Sequence, residues 1–341
     1  VELFFCDPDD LEAVSAYVGA AEAARAVDAP WEQAPTITRI RAEMRHGFDG
    51  EPGEHYLLRA DGRVVGTAAI FVSDRDNREL AWVELVVLPE VRRRGHGRAA
   101  LALVLDRCLA IGRPLIVLYG WESDAARRFA AAAGFELEST EIRRLLELTG
   151  TADQDAHLRS VRDAATARAG GYHLVRFTGR TPADLLPDLV RVTAAINDAP
   201  RDGLEYEDEL YDVDRVRAYE SAQVEAGRRL YRVVASTADG EMVGHTAVSV
   251  DSEDPTWADQ HDTAVVPEHR GRRLGLLLKS SMALWLRDVE PQLRWVGTEN
   301  AESNGPMIDV NEELGYRVAG RQLLFQRRLR FTPCVDSVQP S

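Results

Sequence analysis

The stretch Glu84–Gly97, ELVVLPEVRRRGHG, ends an apolar run at a proline and turns through three arginines and two glycines into a leucine-rich segment. It recurs 178 residues later as Asp262–Gly275, DTAVVPEHRGRRLG. RVVGTAAI (63–70) and EMVGHTAV (241–248) keep the same offset, and AAAAGF (130–135) answers NEELGY (311–316) at 181. A period this long marks a duplicated domain, because solenoid units run only about 20–50 residues.

Working outward, each copy carries the same order of signals. A helical lead-in, Asp9 to Arg45 or Pro182 to Ala226, precedes a hairpin about Asp61-Gly62 or Asp239-Gly240. A third strand, Ala81–Leu88 or His261–Val266, ends at the proline, which cannot donate to a ladder. The arginine-glycine loop then opens a helix with apolar stripes at Leu101, Val104, Leu105, Cys108 and Leu109, or at Leu274, Leu277, Leu278, Met282 and Trp285. A strand, a short helix, a Gly-aromatic pair and a final strand complete the unit. This order predicts a mixed α/β fold of two tandem domains, 1–150 and 172–341. Each has a mostly antiparallel central sheet flanked by helices, and a partly helical linker over 151–171 joins them.

Composition bounds the function. A chain of 341 residues with 45% hydrophobic content supports two cores. Its net charge of −15 argues against nonspecific attraction to nucleic acid and leaves local basic patches to explain. Cys6, Cys108 and Cys334 match no metal-ligand spacing, so no metal is expected, and their odd number argues against a disulfide framework. No apolar run reaches membrane-span length, and the first residues lack signal-peptide character. The expectation is a soluble cytoplasmic protein, a monomer or homodimer, with a small-molecule partner and neither nucleic acid nor membrane.

A strand that ends in a glycine-bearing loop opening a helix gathers unpaired N–H groups at the positive end of the helix dipole. Arg92, Arg93, Arg94, Gly95, His96 and Gly97 form one such loop, and Arg270, Gly271, Arg272, Arg273, Leu274 and Gly275 the other. A solvated turn explains either alone. Recurrence at the same place favours an anion cradle, with a pyrophosphate as its occupant. The loop is neither a Walker motif nor a dinucleotide fingerprint.

VVLPEVRRRGHGRAAL and VVPEHRGRRLGLLLK resemble the GCN5-related N-acetyltransferase (GNAT) superfamily, whose loop reads Gln/Arg-x-x-Gly-x-Gly/Ala and holds the pyrophosphate of acetyl-CoA. The resemblance spans about residues 55–148 and 230–330. Copy one matches at Arg92, Gly95 and Gly97; copy two matches at Arg270 and Gly275, with Arg273 where the middle glycine belongs. The family's Asn-x-x-Ala-x-x-Leu-Tyr feature, whose Asn lies near the cofactor arm, aligns with Asn304 and Asn311 in copy two and with Ser123 and Ala130 in copy one. The Tyr that often protonates the leaving thiolate is absent from both.

The resemblance implies acetyl-CoA as cofactor. Main-chain N–H groups of Val86, Val87 and Leu88, or Ala264, Val265 and Val266, would act as oxyanion donors. Glu84 and Asp262, eight residues before the loop arginines, are the candidate bases, with His261 and His245 as alternates and Asn311 as a further catalytic candidate. Copy two is the better choice for chemistry, since Ala130 and Phe135 leave copy one with no apparent general acid. The acidic lead-in NDAPRDGLEYEDELYDVD (197–214), with Tyr206 and Tyr211 interleaved and Tyr219 beyond it, would draw a cationic amine, aminoglycoside-like or peptide-like. A solvated acidic loop is the plainer reading. The activity expected is acetyl transfer to a primary amine. Mycothiol-synthase-like acetylation and a noncatalytic acyl-CoA-binding or interaction module are the alternatives.

Overall fold

The turn at Asp61-Gly62 has both residues at positive φ, 50° and 73°, as a two-residue hairpin requires. A computed structural model describes residues 1–330, so Cys334 lies outside the described residues. Copy one runs β1 (Glu2–Phe5), α1 (Leu11–Asp28), α2 (Ile37–His46), β2 (Glu54–Ala60), β3 (Arg63–Phe71), β4 (Leu80–Val87), α3 (His96–Ala110), β5 (Leu115–Trp121), α4 (Asp124–Ala132) and β6 (Glu136–Glu147). The segment expected as a linker forms α5 (Ala152–Ala169). Copy two follows as β7 (His173–Thr178), α6 (Leu186–Thr193), α7 (Val213–Glu225), β8 (Arg228–Ser236), β9 (Met242–Asp251), β10 (Trp257–Val265), α8 (Leu274–Val289), β11 (Trp295–Ala301), α9 (Gly305–Glu313) and β12 (Arg317–Arg328).

Local chemistry starts these helices. Asp10 caps α1 by accepting from the N–H groups of Glu12 and Ala13, Thr36 caps α2, and Asp212 caps α7. Leu158, Val161 and Ala165 of α5 are buried in the same core as Leu277, Leu278 and Met282 of α8, so the connection packs against copy two. Cys6 and Cys108 are buried free thiols, and burial pushes Cys108 up to about 12. No helix of the described residues is long and apolar enough to cross a membrane.

The strands form one twelve-stranded sheet in the order β1-β2-β3-β4-β5-β12-β6-β11-β10-β9-β8-β7. Among the described residues only the pairs β4–β5 and β10–β11 are parallel. The last strands are exchanged. β12, from copy two, lies against β5 of copy one, with Gln322 opposite Trp121 and Arg328 opposite Leu115. β6, from copy one, lies against β11 of copy two, with Trp295 opposite Glu147. β6 and β12 pair with each other at the centre, Glu141 opposite Gln322.

Gly66, from the repeated Val-Gly of the hairpins, sits beneath β4, where an added Cβ would run into the Val86 carbonyl oxygen. That contact is backbone against side chain in mid-sheet, so it cannot be relieved by a rotamer change. Gly66→Ala is expected to destabilise the protein by about 2–3 kcal/mol in denaturant unfolding; a loss below about 0.5 kcal/mol would contradict this reading.

Candidate active site

Each parallel pair opens like a V toward its arginine-glycine loop, because only the early residues of the strands are paired. In copy one the pairing runs from Leu80 opposite Leu115 to Glu84 opposite Tyr119. In copy two it ends at Asp259 opposite Gly297, the counterparts of Ala81 and Ile116, so the strands part three residues earlier. Asp262 and Asn300, counterparts of Glu84 and Tyr119, therefore flank the opening instead of being held in a ladder.

A bulge adds to the difference. Gln260 lies opposite Val248 and Thr263 opposite Thr246, leaving His261 and Asp262 together opposite one residue of β9. Bulges re-aim side chains in this way. Asp262 faces a cavity of about 400 Å³, whereas Glu84 does not line it. Burial, followed by the nearby Glu209 carboxylate, pushes Asp262 up to about 6, against the opposing pull of Arg232 and Arg215. Glu84 is pushed up to about 7 by burial and then by Glu43.

The cavity lies between the copies. Copy two contributes Asp262, Tyr211, Tyr219, Arg215 and Arg232, and copy one contributes Phe48, Asp49, Phe71, Asp76 and Trp82. Five carboxylates line it, Asp49, Glu51, Asp76, Glu209 and Asp262, against the two guanidinium groups of Arg215 and Arg232. Arg215 is already held by Asp76, by Asp49 at 3.2 Å and by Glu209 at 3.1 Å. The histidine alternates are locked in neutral roles. His261 stacks against Phe48 and Tyr219, shares a hydrogen bond of 2.7 Å with the Ser249 hydroxyl, and is pushed down to about 4 by burial. His245 is buried against Arg232, and burial followed by that charge holds it well below the usual histidine range. Tyr206 packs on Trp82, one of the cavity residues, but does not itself line the cavity.

The loops share one backbone plan. Arg93 (φ 64°) and Gly95 (φ 88°) are left-handed in copy one, and their counterparts Gly271 (φ 73°) and Arg273 (φ 60°) are left-handed in copy two. Each loop thus has one glycine and one arginine at its two left-handed positions, in opposite order. Arg273 takes up the turn that Gly95 makes, as the residue before α8, and its side chain reaches out to Glu313.

Arg92 and Arg270 have a shared structural task. Their Nε groups donate to the carbonyls of Val87 and Val265, both at 2.9 Å, and their ends pair with Asp28 and Asp198. Arg272 donates to the Tyr172 hydroxyl at 3.0 Å. Arg94, whose one hydrogen-bond partner among the described residues is the Glu90 carbonyl, is exposed.

The cradles differ in their room for a ligand. In copy two, side chains added at Gly271 or Gly275 would meet open space. In copy one, the second glycine, Gly97, is covered: a Cβ there would be 3.3 Å from the Phe129 ring and 3.5 Å from Val87. Copy two therefore fits a pyrophosphate at its helix start more freely, with the N–H groups of Arg272 to Gly275 available to hold it. Ser123 and Asn304 are helix caps, accepting from Ala126 N–H at 3.1 Å and Met307 N–H at 3.3 Å.

Asn311 is fully buried. Its side-chain oxygen accepts from Lys279 Nζ at 2.6 Å, and its amide nitrogen donates to the Asn300 side-chain oxygen at 2.7 Å. Lys279 is itself buried, 4.8 Å from the Tyr316 ring centroid, and burial pushes its amine down to about 7. Sequence reasoning missed Asn300, Lys279, Asp49, Asp76 and Trp82. The last three are brought in by the packing between copies, which no local pattern encodes.

A family model described as Acetyltransferase (GNAT) family matches residues 20–135. A mycothiol acetyltransferase of Stackebrandtia nassauensis is 42% identical over 69 residues, which is 20% of this chain and only 22% of that protein. The mycothiol acetyltransferase of Sanguibacter keddieii is 28% identical over 297 residues, 85% of each chain. Among solved structures, a tandem GNAT protein from the clavulanic acid biosynthesis pathway is 28% identical, with a TM-score of 0.79 over 96% of this chain and 98% of that one.

Proposed function

We propose a function from one premise: this chain belongs to the GNAT family of acetyltransferases. Its reaction is acetyl-CoA-dependent acetyl transfer, and our reading assigns the chemistry to copy two and the acceptor to the primary amines of small cationic molecules. The observation that carries this is the early parting of β10 and β11 at Asp262, which opens onto the acid-lined cavity.

Acetyl-CoA supplies the acyl group as an activated thioester. The N–H groups at the start of α8 would hold its pyrophosphate, and the Val265 N–H, on the unpaired β11 side, offers a donor for a developing oxyanion, whereas the Val266 N–H is spent on the Val243 carbonyl. Asp262 takes the proton from the acceptor amine, directly or through water, as the nitrogen bonds to the acyl carbon; the C–S bond breaks and the departing CoA thiolate takes up a proton from solvent. A carboxylate at about 6 is ionised at neutral pH yet more basic than an ordinary aspartate. The surplus of carboxylates in the cavity favours an acceptor that carries positive charge.

Thiol release from acetyl-CoA with cationic, neutral and anionic amines of similar size tests this. Cationic acceptors are expected to exceed anionic ones in kcat/KM by at least about tenfold, the equivalent of about 1.4 kcal/mol. Equal rates for anionic amines, or a rate lost in Glu84→Gln and kept in Asp262→Asn, would overturn it. A mycothiol-type acceptor is the second reading, favoured by the match to the Sanguibacter keddieii protein along most of the chain.

A further inference from the structure

The chain contains 40 arginines and one lysine. That lysine, Lys279, is not on the surface, where lysines normally lie. It is 2% exposed within α8, and its side-chain hydrogen bond goes to Asn311. No neighbouring charge contributes to its lowered pKa, and the groups that face it are the Asn311 amide from α9 and the Tyr316 ring. Counterparts in copy one are Leu101 for Lys279, Ala130 for Asn311 and Tyr119 for Asn300, so the polar chain belongs to copy two alone.

The direction of this chain is fixed by chemistry. In its protonated form, which prevails below about pH 7, Lys279 has donors and no acceptor, so Asn311 then turns its oxygen to Lys279. Its NH2 must then point at Asn300, and Asn300 must receive it through oxygen. What remains on Asn300 is its own NH2 group. Asn300 lies on β11, three residues past the last one paired with β10, and is partly exposed there.

We propose that Lys279 and Asn311 are positioning residues that hold the Asn300 amide as a hydrogen-bond donor to a carbonyl of the acyl-CoA arm in the opening between β10 and β11. This rests on the reading of copy two as the acyl-CoA site. Lys279 and Asn311 touch no substrate; they determine which end of the Asn300 amide is presented. A buried chain of this kind is effective because each member is satisfied only in one orientation.

The test is calorimetric titration of the full chain with CoA and with acetyl-CoA at about pH 6, where the lysine carries its proton. Asn300→Asp keeps the size and the oxygen that Asn311 needs but removes the donor. It is expected to weaken binding about tenfold, a change of about 1.4 kcal/mol. An effect on both ligands assigns the donor to an amide carbonyl of the arm, and an effect on acetyl-CoA alone assigns it to the thioester; both support the proposal.

Lys279→Met is expected to weaken binding less than Asn300→Asp does, and to add nothing in the Asn300→Asp background, because the two act through one hydrogen bond. Lys279→Gln, which retains a donor, is expected to restore part of the loss and serves if the methionine variant folds poorly. Because the lysine is unique, a 13Cε-lysine label gives one side-chain signal, which CoA is expected to shift in the parent and not in Asn300→Asp. Unchanged affinity in Asn300→Asp, or additive losses in the double variant, would overturn the proposal. A Gly275→Trp control separates the two readings. If CoA binding survives that change with the same affinity and stoichiometry, the assignment of the cofactor to copy two has failed, whatever Asn300 does.

Discussion

Asp262→Asn is expected to lower kcat/KM by about 10²- to 10³-fold while leaving acetyl-CoA affinity within about threefold of the parent. The substitution preserves shape and removes the carboxylate proposed as proton acceptor. In the parent, kcat/KM should rise with pH through an apparent pKa near the value of about 6 that burial and Glu209 impose on Asp262. The sign follows from its role: a base works only when deprotonated, so activity falls as pH drops below that value. The variant should lose this acid limb. Glu84→Gln should change kcat/KM by less than about threefold, since Glu84 is held opposite Tyr119 and does not line the acid-rich cavity between the copies. A persistent acid limb in Asp262→Asn would assign the base elsewhere.

Arg143→Met is expected to destabilise the protein by about 3–5 kcal/mol in denaturant unfolding at about pH 8. Arg143, on β6, is 8% exposed and gathers Glu32 at 2.8 Å, Asp259 at 3.2 Å and Glu299 at 3.9 Å. It lies so close to β11 that a Cβ on Gly297 would be 2.5 Å from its Nη2. Methionine fills part of the volume and leaves three carboxylates facing one another. Even with the arginine present, burial has pushed Glu299 up to about 7 and raised Glu32 above the usual range. Without it their folded pKa values rise further above the unfolded ones. Stability is then retained at low pH and lost as pH climbs from the ordinary carboxylate range through and beyond about 7. The deficit should therefore shrink toward about pH 5. A deficit below about 1 kcal/mol at about pH 8 would show that the cluster tolerates its own charge.

The duplicated unit was legible because two features repeat at one offset, the Val-Gly hairpin and the Pro-terminated strand with its arginine-glycine loop. The left-handed turn at Arg273 was legible as a question, since an arginine stood where a glycine was expected, and the answer is that Arg93 and Gly271 trade places with Gly95 and Arg273. The anchoring of Arg92 and Arg270 was not visible. Their partners Asp28 and Asp198 lie 170 residues apart, off the period that reveals everything else. The bulge at His261 and Asp262 has no sequence signature either, because one added residue in a strand changes no composition. Lys279 did leave a mark: a single lysine amid LGLLLKSSMALWL, a helix apolar on nearly all sides. Such a helix is buried, and a charge inside it needs a partner.

The exchange of β6 and β12 bears on how this chain can be divided or inherited. Severing the α5 connection would leave a first half whose β5 lacks its neighbour and a second half whose β11 does as well, each exposing an unsatisfied edge. Neither half is then a self-sufficient module that could be shuffled into another gene, despite the repetition that makes the boundary easy to draw. The two copies can diverge in chemistry, as Phe129 over one cradle and open space over the other illustrate, yet each remains bound to the other as a structural template. Loss of one copy would strip the other of the strand that flanks its β5 or β11 in the full chain.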